Sequence, residues 1–161
     1  EEMLTSLNDS GHAPTWYAAW SASVDALGVI RELCGVGALR QITKFGSSVA
    51  HAACQCGMIE VLELAVEWCG VGILAEPDDC GWTPAYQACL EGNGACVQWL
   101  YDAGERASLG ARCKTGRSPC DEARSQGHKG VVKLLQDLGV DGDTTSAASR
   151  LRRKLRERKE A

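Results

Sequence analysis

Apolar residues along the chain recur in clusters of one kind. Val61-Leu62 with Leu64-Ala65, Cys96-Val97 with Trp99-Leu100, and Val131-Val132 with Leu134-Leu135 each put apolar side chains at i, i+1, i+3 and i+4. Glu60, Glu63, Gln98, Lys133 and Asp137 fall on other faces, so each cluster predicts an amphipathic helix. The clusters belong to a longer repeat. Gly46, Gly81 and Gly116 are 35 residues apart. Two residues after each stands a small hydroxyl residue (Ser48, Thr83, Ser118), and three after stand Val49, Pro84 and Pro119. Seven after stands an alanine (Ala53, Ala88, Ala123), and eleven after a second glycine (Gly57, Gly92, Gly127).

Each unit predicts the same local structure. The opening glycine suits a tight turn. Thr83 or Ser118 is a good N-cap, and the proline behind it fits the first helical position, where its missing N–H costs nothing. A first helix then runs from Pro84 to about Glu91, and from Pro119 to about Gln126. The second glycine ends it. A tight turn, the second helix and a loop complete the unit. One helix pair cannot bury its own apolar face, so the units must stack.

These residues carry a family resemblance. Gly81-Trp82-Thr83-Pro84-Ala85-Tyr86-Gln87-Ala88-Cys89 with Gly92, Val97, Leu100 and Gly104 resembles the ankyrin repeat, as do the stretches from Gly46 and from Gly116. The resemblance covers residues 46–139. A weaker unit precedes it, with Gly11, Pro14 and Ala18-Ala19 at matching offsets; aligning its second helix on Val29-Ile30 requires about three extra residues near Trp20–Ser23. It reads as a divergent N-terminal capping repeat. The expected fold is therefore all-α: an ankyrin-repeat solenoid of stacked helix-turn-helix units with hairpin-like connecting loops. The units fall at about 11–45, 46–80, 81–115 and 116–143, behind an N-terminal segment 1–10 and ahead of a basic, helical tail 144–161. Departures from the family pattern are the 35-residue period, against 33 in the family, and the replacement of the usual histidine by Tyr86 and Asp121, while His51 keeps it. Arg124 replaces the small residue found as Cys54 and Cys89, which places the last unit near the end of the stack.

Charge refines this picture. The net charge of −4 divides into −9 over residues 1–143 and +5 over 144–161, where seven basic residues meet Glu157 and Glu160. An acidic body is unsuited to phosphate backbones, so a nucleic-acid partner is not expected. No apolar run approaches the ~20 residues that cross a bilayer. The tail is either a solvated, fraying helix, a nuclear-import signal, a contact for an acidic partner, or a link to a further domain.

Nine cysteines form an odd count, so a fully paired framework is impossible. Cys54 and Cys89 share one repeat position, and Cys96 shares another with Val61 and Val131, so buried, reduced thiols are expected, and with them an intracellular location, cytoplasmic or nuclear. His51, Cys54, Cys56, Cys69 and Cys80 invite a zinc site, but their spacing matches no standard ligand pattern. His12, His51 and His128 have no partner pattern for nucleophilic catalysis. No catalytic residue, cofactor, metal or small-molecule substrate is expected.

The resemblance implies a module that binds another protein, as a monomer, through turn tips and the concave helix face. Carried over by position, the partner-binding residues are Lys44, Phe45, Ser47, Gln55 and Cys56; then Asp79, Cys80, Trp82, Leu90 and Glu91; then Lys114, Thr115, Arg117, Ser125 and Gln126. Trp82 is expected at the centre, either exposed as a binding anchor or folded back on its neighbouring hairpin. The alternatives are a structural or spacer segment of a longer ankyrin-containing protein, or a Cys/His metal protein or enzyme.

Overall fold

A computed structural model describes residues 6–140. Four helix pairs follow one another: α1 (Pro14–Trp20) with α2 (Val24–Cys34), α4 (Val49–Cys56) with α5 (Ile59–Cys69), α6 (Pro84–Glu91) with α7 (Gly94–Asp102), and α9 (Pro119–Ser125) with α10 (Lys129–Leu138). Short helical turns follow the first three pairs: α3 (Val36–Leu39), a 3-10 turn at Val71–Leu74, and α8 (Arg106–Gly110). No strand occurs among the described residues.

The caps start the helices as the sequence predicts. The Thr83 hydroxyl accepts from the Tyr86 amide (3.2 Å). Ser118 and Asp121 form a reciprocal box: Ser118 Oγ accepts from Asp121 N (3.1 Å), and Asp121 Oδ2 accepts from Ser118 N (3.0 Å). Gly92 ends α6 at φ 79°, and a Cβ there would lie 2.6 Å from the His128 ring of the next unit, so both conformation and space demand glycine.

Stacking makes the core. First helices pack side by side in the order α1, α4, α6, α9. Ala19, Ala53, Ala88 and Cys89 are fully buried between them, and one apolar cluster runs from Ala18 to Leu138. The connections contribute a residue that the sequence pattern did not single out: Leu39, Leu74 and Leu109, each 35 residues from the next, are buried under the short turns.

The first unit corrects one expectation. It contains no insertion near Trp20–Ser23. Its helices begin at Pro14 and Val24, the same spacing as Val49 and Ile59 or Pro84 and Gly94. Its buried second-helix residues are Leu27 and Ile30, which correspond to Leu62 and Ala65. Aligning on Val29-Ile30 selected a partly solvated pair. The marker glycine is missing because Ala22 stands in its place, with φ 57°. A capping repeat turns a polar face outward; on this unit Tyr17, Val29 and Leu33 are exposed. The basic tail expected at 144–161 lies outside the described residues.

Candidate functional site

Four hairpin turns project from one edge of the stack. Each closes by a backbone bond four residues long: Asn8 N to His12 O (3.0 Å), Thr43 N to Ser47 O (2.9 Å), Asp78 N to Trp82 O (2.8 Å) and Cys113 N to Arg117 O (2.9 Å). Successive tips are tied to one another. Lys44 N donates to Gly11 O (2.7 Å), Asp79 N to Phe45 O (3.0 Å) and Lys114 N to Cys80 O (3.1 Å). The tips thus form a ladder joined by backbone hydrogen bonds. Two residues before each opening glycine the ladder carries Asp9, Lys44, Asp79 and Lys114, alternating in sign.

Side chains lock the units beneath the tips. His51 Nε2–H donates to the Trp82 carbonyl of the next unit (2.8 Å), while Nδ1 accepts from Ser48 N (3.1 Å). Burial lowers its pKa below the ordinary histidine value, against the opposing pull of the Trp82 carbonyl, Asp78 and Glu76. Asn93 Nδ2 donates to the carbonyls of Cys54 (2.8 Å) and Gln55 (2.9 Å), and His128 Nε2–H to that of Leu90 (2.9 Å). Tyr86 takes the place of His51 and donates its hydroxyl to buried Glu122 (2.9 Å). Burial and that bond raise the Tyr86 pKa. Burial also pushes the Glu122 carboxyl up, but Gln126, Tyr86, Arg117 and Ser125 outweigh it and hold the group below its usual value.

The carried-over residues divide by exposure. Lys44, Phe45, Asp79, Cys80, Glu91, Lys114, Thr115, Arg117, Ser125 and Gln126 are exposed; Ser47, Gln55, Cys56, Trp82 and Leu90 are half-buried. Several are engaged. Arg117 pairs with Glu122 (3.1 Å), Ser125 and Gln126 donate to the same carboxylate, and Cys56 Sγ donates to the Trp20 carbonyl (3.3 Å). Trp82 stacks on Tyr86 of its own unit, centroids 5.2 Å apart at 11°.

The most exposed aromatic surface lies elsewhere. Phe45 is 53% and Trp20 49% exposed. His12, Trp16 and Tyr17 join them in a ring cluster, with His12 4.4 Å from Trp16, 6.4 Å from Phe45, and Trp16 stacked 6.0 Å from Trp20. The Lys44 ammonium sits 5.0 Å over the Phe45 ring. A shallow depression of about 170 Å³, lined by Ser6, Leu7, Asn8, His12, Pro14 and Tyr17, adjoins the cluster. His12 and Trp20 occupy the offsets of Ser47 and Gln55. Carrying the repeat positions back into the first unit would have found them.

All nine cysteines are free. Cys54 and Cys96 are hydrogen-bonded to one another in the core, and His51 is committed at both ring nitrogens. Among the described residues, no three His, Cys, Asp or Glu side chains come together to hold a metal ion, and no helix is long and apolar enough to cross a membrane.

The family model described as ankyrin repeats (3 copies) matches residues 16–109 and 50–146. The chain belongs to the ankyrin-repeat family. No curated protein sequence matches it. As an ankyrin-repeat protein it carries a fold whose members are generally protein–protein interaction modules.

Proposed function

We propose that this ankyrin-repeat chain binds another protein through its hairpin tips and the ends of its first helices, with the centre of contact at the exposed aromatics Trp20 and Phe45. One observation carries the reading: large aromatic side chains stand exposed on a hairpin tip (Phe45) and at a helix end (Trp20) whose backbone is already fixed. Exposed aromatics are favoured binding anchors. A preformed surface loses little conformational freedom on binding, which favours affinity. Trp82, stacked on Tyr86, is a secondary contact in this reading. The free thiols fit a reducing, intracellular compartment.

The test is site-specific photo-crosslinking in extract of the native organism. A crosslinker at residue 45 or 20 captures a defined protein, and one at Glu63, exposed on the second helix α5, does not. Phe45→Ala with Trp20→Ala lowers capture at least about tenfold with little change in melting temperature. Equal capture from position 63, or capture untouched by the double substitution, rejects this surface.

A further inference from the structure

Each unit turns one face toward the unit before it, and the structure shows three times what covers that face. Six residues after the opening glycine, Glu122 takes the hydroxyl of Tyr86 from the preceding unit. Eighteen after, Leu134 stands 3.9 Å from where a Cβ on the preceding unit's Gly94 would lie. Twenty-two after, Trp68 lies under the guanidinium of Arg31, 4.7 Å from the ring centroid. At six residues, Ala52, Gln87 and Glu122 are all buried. In the first unit the same three places hold Tyr17, Val29 and Leu33, which are 41%, 50% and 55% exposed. Apolar residues therefore occupy a stacking face that nothing in the described chain covers.

The opposite end of the stack is finished differently. The places that face forward in inner units, held by His51, Cys54 and Ile59 in the second, are held by Asp121, Arg124 and Lys129 in the last. Arg124 there is exposed and pairs with Asp121 on its own helix (3.3 Å). A second copy stacking head-to-tail would press these charges onto Tyr17, Val29 and Leu33, which opposes association. The hairpin at Asn8–His12 points to the other source. It closes like the hairpins that join stacked units, and its side-chain bond repeats theirs: Asn8 Oδ1 accepts from His12 N (2.9 Å) as Asp78 Oδ1 accepts from Trp82 N (2.8 Å). The Asp9 amide stands where Lys44, Asp79 and Lys114 each receive the tip of the unit before.

We propose that the exposed face of α1 and α2 receives a further ankyrin helix pair, carried ahead of Asn8 on the same polypeptide and stacked in the same register. The occupant presents an uncharged forward face of the kind seen in the second unit. This proposal is independent of the recognition surface.

The test joins a copy of residues 43–77 directly ahead of Asn8, which supplies such a face through the native hairpin. The added unit raises the thermal midpoint by about 5 °C or more. It also slows amide exchange across α2 at least about tenfold. The exchange measurement needs no substitution. Val29→Asp with Leu33→Asp changes the midpoint of the unextended chain by no more than about 2 °C and abolishes the gain in the extended one. No gain, unchanged exchange in α2, or a gain that survives both aspartates overturns the proposal. So does sedimentation showing that the unextended chain dimerises and that the two aspartates disrupt the dimer, since a second copy would then be the occupant.

Discussion

Five residues after the opening glycine, three units place a histidine, a tyrosine and an aspartate, and each ties the structure differently. His51 reaches the next hairpin's carbonyl, Tyr86 reaches a buried carboxylate in the next unit, and Asp121 turns back to cap its own helix. The His51 ring is neutral when buried, so its folded pKa lies below the unfolded value near 6.5. Stability from this site is present above that value and lost as pH falls through it, because the unfolded chain then binds the proton. The melting temperature is expected to fall between pH 7.5 and 5.5. His51→Ala is expected to be less stable at pH 7.5 by about 1–3 kcal/mol, from the unpaired Trp82 carbonyl and Ser48 amide, and to lose less on acidification; thermal melts across that range check both. Ala22 offers the reverse case. Its left-handed backbone disfavours a Cβ, so Ala22→Gly should raise stability by roughly 0.5–1 kcal/mol, read from denaturant unfolding. Neither feature was legible beforehand. A histidine's partner on another unit is invisible in one-dimensional spacing, and an alanine gives no sign that it occupies a glycine's conformation.

At the scale of the element, the first helices were legible and the first unit's second helix was not. Caps and glycines are local chemistry, so α6 begins and ends where Thr83, Pro84 and Gly92 place it. In the first unit two apolar pairs compete, Leu27 with Ile30 and Val29 with Ile30, and only packing against the next unit decides between them. Leu39, Leu74 and Leu109 escaped notice because they sit in segments that read as loop. The interface between first helices leaves no space beside Ala88, which is fully buried. Ala88→Arg should therefore cost roughly 3–5 kcal/mol, from an uncompensated buried charge as well as excess volume. Circular dichroism melts check this, and an unchanged midpoint would contradict the packing of α6 between α4 and α9.

Over the whole molecule, the thiols report on the stack. Cys80 is exposed, Cys34 and Cys56 are half-buried, and the other six are buried. A thiol reagent should modify Cys80 first, Cys34 and Cys56 more slowly, and the remainder only on unfolding; mass spectrometry of the labelled chain reads the order. Fast labelling of Cys54, Cys89 or Cys96 in the native state would mean that the units separate readily. The hairpin tips were legible because they recur with the repeat. The aromatic cluster was not, since the first unit's divergent sequence hid its register, and exposure depends on what stacks beside it. The tip ladder has one more implication. Residues 44, 79 and 114 each donate a main-chain N–H to the neighbouring tip. Proline, which lacks that hydrogen, is the amino acid barred there. Every other amino acid keeps that hydrogen, so the side chain at those sites can change without removing the bond that spaces the row.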